Sequence, residues 1–149
     1  MIAFTSAVVI GKPTEIVFAV VTDFEQYLAR WAKGPVAARK LTSGKISTGS
    51  RFGVTAKVGP YRPHSLYEVL AFQSPTDFVG KGTAGPVRFE EEYRFIDDGG
   101  STHLEQSIRA WPRGPFRLVE GAIERKLRAL IPADLERLRD LVSSLTADG

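Results

Sequence analysis

The sequence predicts an α+β fold: a seven-stranded antiparallel sheet, two short helices after the first strand and one long helix at the C-terminus. Three observations lead there. Six segments with strand patterning follow one another between about 35 and 112, joined by short Gly/Pro/Ser/Asp turns. A β-rich run before them ends at Gly11-Lys12-Pro13 and gives way to apolar residues at helical spacing. Residues 115–145 then carry a single apolar stripe with a period near that of an α-helix.

The first strand runs from Phe4 to Ile10, and Pro13 suits a first helical position. Ile16, Val17, Val20 and Val21 place a short helix over Thr14–Val21, and Phe24, Tyr27, Leu28 and Trp31 repeat the spacing past Asp23. The remaining strands are expected at about 35–41, 51–58, 62–72, 76–84, 87–97 and 101–112. The long helix is expected from Pro115 to Leu145, roughly 45 Å at about 1.5 Å per residue. Its stripe includes Leu118, Val119, Ala122, Ile123, Leu127, Leu130, Leu135, Leu138 and Val142. Pro132 lacks an amide donor and crowds the preceding turn, which predicts a kink near Arg128–Pro132, and residues 146–149 should fray.

Strand alternation assigns the faces. In Val87–Phe95 the odd positions are apolar except Glu91, and the even positions are charged. A hairpin over Asp98-Gly99 would set Tyr93 opposite Leu104, Phe89 opposite Ile108 and Glu91 opposite Gln106. A turn at Gly85-Pro86 turns Phe78, Gly80, Gly82 and Ala84 inward, one at Ser74-Pro75 does so for Tyr67, Val69 and Ala71, and one at Gly59-Pro60 for Phe52, Val54, Ala56 and Val58. Leu66, Leu70 and Phe72 then fall on the outer face. Either a bulge inverts part of that strand or the outer face carries an apolar patch, and the patch is preferred.

A length of 149 residues with 43% hydrophobic content fits one domain over 1–149 with a substantial core. Its 20 basic and 17 acidic residues are interspersed, which argues against a nucleic-acid surface. The absence of cysteine excludes disulfides, thiol nucleophiles and thiolate metal sites. No apolar run approaches the ~20 residues of a membrane span, and the N-terminus has no export-signal pattern, so a cytoplasmic protein with no integral membrane segment is expected.

The segments Val9–Phe18 and Thr22-Asp23-Phe24-Glu25-Gln26-Tyr27 with Trp31, and the late hairpin around Asp98-Gly99-Gly100-Ser101-Thr102, resemble the START/Bet v 1-like (SRPBCC) superfamily of polyketide cyclase/dehydrase and lipid transport proteins. The resemblance covers nearly the whole chain. It implies the helix-grip fold, in which a curved sheet wraps the long helix around a cavity for an apolar or amphipathic small molecule, with an opening near the short helices and strand loops.

The residues carry a compatible reading. Phe52, Val54, Tyr67, Val69, Phe78, Phe89, Tyr93 and Ile108 supply apolar walls, with Ala122 and Ile123 facing them from the helix, while Gly80 and Gly82 leave volume beside Glu91. Glu91, an acid among aromatics, is the one catalytic candidate: burial should raise its pKa, as a proton donor or base requires. The alternative, which is favoured, is a structural acid held by Gln106, by water or by a base from the helix. Tyr27, Arg30 and Trp31 are candidates for a gate, with Arg30 able to hold an anionic ligand group, although such a Tyr and Trp more often pack a helix onto a sheet. The run Gly80–Gly85 has the letters of a dinucleotide fingerprint without its β-α-β setting, and His64 and His103 stand on separate strands. No metal or cofactor is expected.

The favoured function is binding, transport or sequestration of a hydrophobic small molecule such as a lipid, polyketide or isoprenoid. A polyketide aromatase/cyclase using Glu91 with Tyr93, Gln106 or Arg30 is the first alternative. It is weakened by the lack of an inward Arg/Trp/Ser set after Pro60, because Arg62 and His64 fall on the outer face. A quinone- or partner-binding module is the second alternative, with Leu66, Leu70, Phe72, Val79 and Trp111 as a candidate homodimer surface.

Overall fold

The computed structural model describes residues 1–33, 35–56 and 64–146. Strand β1 (Ile2–Ile10) leads into helix α1 (Thr14–Thr22), a π-helical turn (Phe24–Leu28) and the single turn α2 (Ala29–Trp31). Then come β2 (Pro35–Lys40), β3 (Arg51–Ala56), β4 (His64–Gln73), β5 (Asp77–Ala84), β6 (Val87–Asp98) and β7 (Ser101–Pro112). A 3₁₀ turn (Gly114–Val119) precedes the long helix α3 (Glu120–Thr146).

Among the described residues the strands form one antiparallel sheet in the order β1-β7-β6-β5-β4-β3-β2. The short helices carry the chain from one edge of the sheet to the other, so β1 pairs with β7 and leaves β2 at the far edge. The two helical segments meet at Asp23, whose side chain accepts a hydrogen bond from the Gln26 amide. This short acidic acceptor satisfies a donor that a new helical start would leave unpaired.

The faces of β6 and β7 follow the alternation, but their register differs by two residues. Tyr93 lies opposite Gln106, Glu91 opposite Ile108, Phe89 opposite Ala110 and Val87 opposite Pro112. The turn closes over Gly99-Gly100 instead of Asp98-Gly99, with Asp98 paired to Ser101. Both glycines have positive φ, +64° and +95°, as a hairpin turn with two left-handed positions requires. A slip of two residues preserves every face, so Glu91 and Gln106 both still point inward.

Strand β4 carries the bulge, which takes Phe72 out of the preferred outer patch. Val69 pairs with Gly80, but Ala71 pairs with Val79 and Phe72 with Phe78, so a bulge falls at Leu70. It turns Ala71 outward and brings Phe72 into ring contact with Phe18 (5.2 Å) and Phe78 (6.2 Å). Leu66 and Leu70 remain exposed on the outer face. The pairing of Phe52 with Tyr67 and Val54 with Ser65 keeps both strands in the expected faces, while the turn expected at Gly59-Pro60 lies outside the described residues, as does the end of the chain after 146.

Helix α3 continues through Pro132. Its second half supplies the buried residues Ile131, Leu135, Leu138, Leu141 and Val142, whereas Leu118, Val119 and Ala122 at the head of the expected stripe are exposed. The stripe extends further than the surface that covers it. Where α3 passes the sheet edge, Arg128 Nη2 donates to the Ala3 carbonyl at 3.3 Å and stacks over Phe4.

Candidate ligand site

Glycine on β5 positions the polar cluster. Gly80 lies between Val69 of β4 and Glu91 of β6, and Gly82 between Tyr67 and Phe89. Tyr67 leans diagonally across Gly80, so that a methyl group added there would overlap its ring and hydroxyl. At Gly82 the corresponding space is bounded by the Leu66 carbonyl and the Phe89 ring. The volume expected beside Glu91 is thus taken up by aromatic rings, and Gly80 is what allows Tyr67 to reach a strand two places away.

Tyr67 Oη donates to Glu91 Oε1 at 2.7 Å. On Oε2, Gln106 Nε2 donates at 3.3 Å and Tyr93 Oη at 3.4 Å, and Gln106 Nε2 also donates to Tyr93 Oη at 2.9 Å. Glu91 is half-buried, while Tyr67, Tyr93 and Gln106 are buried. Burial raises the Glu91 pKa, and the hydrogen bonds from Tyr67, Gln106 and Tyr93 partly offset that by favouring the carboxylate. Burial, followed by the neighbouring carboxylate, raises both phenols well above their usual range. The tyrosines therefore serve as neutral donors, and Glu91, with its pKa raised by burial, is the group of this cluster suited to exchanging a proton. Gln106 Oε1 is buried with no hydrogen-bond partner among the described residues, leaving one acceptor free for a donor.

A second buried acid lies on the helix. Asp134 is buried on the stripe of α3, accepts from the Lys33 amide at 3.1 Å and pairs with Arg137, which also donates to the Trp31 carbonyl at 3.1 Å. Burial raises its pKa against those partners, and its charge contributes to the raised pKa of Tyr93. Sequence reading missed this residue. The available signal was an acid among Ile131, Leu135 and Leu138 on the apolar face.

The inner face is closed at one end and open at the other. Phe18 of α1 packs edge-on against Phe95 (5.0 Å) and Phe72, sealing the end that contains Leu104 and Phe78. At the opposite end Val54, Gly82, Val87 and Phe89 are half-buried and Ala84 is exposed. The first half of α3, with half-buried Ile123 and Leu127, lies along β1 here.

The other candidates divide. Phe52, Val69 and Phe78 belong to the closed core, and Ile108 lies next to Glu91 across the β6–β7 pair. Trp31 is buried in the core with Nε1 unpartnered among the described residues, while Arg30 is exposed and stacks over half-buried Tyr27 at 5.7 Å. These three are not hydrogen-bonded to the Glu91 cluster. Ala122 is exposed on α3. Among the described residues no three His, Cys, Asp or Glu side chains are grouped to hold a metal ion, and no helix is long and apolar enough to cross a membrane.

Known structures share this architecture. A protein from Thermus thermophilus superposes with a TM-score of 0.80 at 16% identity, covering 97% of this chain and 99% of its own. The Zhui aromatase/cyclase from a Streptomyces species gives a TM-score of 0.78 at 16% identity, with 99% and 97% covered. A START superfamily protein from Mycobacterium smegmatis gives 0.76 at 16% identity, with 97% and 99% covered. At such identities the likeness carries the fold alone. A search of curated protein sequences gave no match. The sequence model of the polyketide cyclase/dehydrase and lipid transport family matches residues 1–143, and the chain belongs to that family.

Proposed function

We propose that the chain binds a hydrophobic small molecule, of lipid, polyketide or isoprenoid character, which enters at the open end and places a polar group against Tyr67, Glu91, Tyr93 and Gln106. The observation behind this is the sequence of environments along the inner face. Half-buried apolar positions at Val54, Gly82 and Phe89 lead to a buried polar cluster that keeps one acceptor unpaired among the described residues. Ligand sites combine an apolar wall with a few fixed polar groups in this way. Native mass spectrometry of the purified protein should find a co-purified apolar molecule, and Glu91→Gln should weaken its retention. A protein that carries no ligand, and that binds candidate lipids and polyketides no better than its Glu91→Gln variant, would sink the proposal.

One observation favours a second reading as a cyclase. The Glu91 carboxyl has a raised pKa and lies 2.7 Å from a neutral phenol. Glu91 would take a proton from the carbon next to a ketone while a phenol donates to the enolate oxygen, and the protonated acid would then assist loss of water after ring closure. Turnover of a poly-ketone thioester analogue should then fall at least about a hundredfold in Glu91→Gln, whereas unchanged turnover removes the acid/base role and leaves the binding proposal standing.

A further inference from the structure

The chain leaves β7 through a corner whose residues bury nothing. In the 3₁₀ turn Gly114–Val119 no residue is buried, and Phe116, Leu118 and Val119 are 43%, 89% and 48% exposed. Side chains three apart eclipse in a 3₁₀ turn, which gives three rows. Phe116 and Val119 form one row and Leu118 lies on the second. Arg117 and Glu120 form the third, and both line a depression of about 470 Å³. The apolar rows are therefore separate from the polar row.

The depression is basic. Arg88, Arg113 and Arg117 surround it together with Trp111, and Arg88 stacks over the Trp111 ring at 4.9 Å. Glu120, its one acidic side chain among the described residues, is paired with the Met1 amine at 3.1 Å. Arg113 also ties the corner to the β5–β6 turn, its amide donating to the Pro86 carbonyl at 3.1 Å. Protruding Phe, Leu and Val beside three guanidiniums match a surface that is anionic outside and apolar beneath. A nucleic acid would use the arginines and leave the apolar rows in water, and an acidic soluble partner would need an apolar cleft of matching shape.

We propose that this corner docks the protein on an anionic phospholipid bilayer, with Phe116, Leu118 and Val119 entering the acyl boundary and Arg88, Arg113 and Arg117 holding headgroup phosphates. Docking of this kind is peripheral and reversible, and it does not depend on Glu91. The corner stands at the open end of the inner face, beside Ala84 and Val87, so a docked molecule would present that end to the membrane.

Flotation with vesicles of mixed phosphatidylglycerol and phosphatidylcholine, and with pure phosphatidylcholine, tests it. The wild type should float with the anionic vesicles at low salt, release as salt rises, and show a blue-shifted Trp111 emission that inorganic phosphate does not reproduce. Phe116→Ser with Leu118→Ser should reduce bound protein at least about tenfold. Arg113→Ser with Arg117→Ser should reduce it about 25-fold, at about fivefold per charge. All four side chains are exposed, so thermal unfolding should match the wild type. Failure of the wild type to float would overturn the proposal, as would flotation unchanged in both double variants. It would equally be overturned if Leu118→Ser abolished a concentration-dependent dimer while leaving flotation intact, because a second copy would then be the occupant.

Discussion

The two ends of the inner face use similar residues to different effect. At the closed end Phe95 is 3% exposed and Leu104 fully buried, with Phe18 of α1 laid across them. At the other end Phe89 is half-buried and Ala84 exposed, because α3 follows the β1 edge and, among the described residues, no element is laid over this part of β5 and β6. The same alternating strands feed both ends. What differs is the covering layer, and the Glu91 cluster lies between the sealed core and the open apolar wall.

This contrast can be broken most forcefully by truncation. Phe95→Ala should cost about 3–5 kcal/mol, since it removes a buried ring packed against Phe18 and Tyr93. Phe89→Ala should cost well under half of that while weakening ligand binding; chemical denaturation of both variants measures the difference, and equal losses would mean that the two ends are equally packed. Gly80→Ala should cost about 1–3 kcal/mol, as the new methyl group displaces Tyr67 from its place over β5. Near-ultraviolet circular dichroism should register the moved tyrosine. Tyr67→Phe should cost about 1–2 kcal/mol by leaving a half-buried carboxylate short of its closest donor, and should raise the Glu91 pKa further.

The smallest effect is the most specific. Burial raises the folded-state Glu91 pKa above its unfolded value, so the stability this group contributes is present below the ordinary carboxylate range and is lost as pH rises through the folded value. Glu91→Gln should therefore melt higher than the wild type at neutral pH, and the advantage should shrink as pH falls through the raised carboxyl pKa. An advantage that grew on acidification would mean that the hydrogen bonds outweigh burial.

How far the sequence could be read depends on the kind of contact. The order of elements, the inward direction of Glu91 and Gln106, and the tight Ala84–Val87 turn all follow from period-two alternation and turn residues. Local patterning could not settle which residue pair closes the last hairpin. Gly99-Gly100 won over Asp98-Gly99, and that moved Gln106 from Glu91 to Tyr93. The bulge at Leu70 was legible only as a conflict, three apolar residues on the wrong face, and packing against Phe18 resolved it for Phe72. The principal partner of Glu91 was missed because Tyr67 reaches it across an intervening strand. An inward glycine flanked by an inward Tyr and an inward Glu was the available sign. Asp134 escaped notice because the Lys33 amide that meets it comes from a distant part of the chain, whereas its other partner, Arg137, lies one turn along the same helix.

The proposed path of an apolar ligand runs in at the open end and stops at the Glu91 cluster. The most direct measurement is a nuclear magnetic resonance titration of ¹⁵N-labelled protein with a hydroxylated aromatic probe such as 2-naphthol. Shifts are expected at the amides of Gly82, Ala84 and Phe89 and at the Gln106 side-chain amide, with Phe18, Phe95 and Leu104 unmoved. Shifts confined to the closed end, or an unmoved Gln106 amide at saturation, would contradict it.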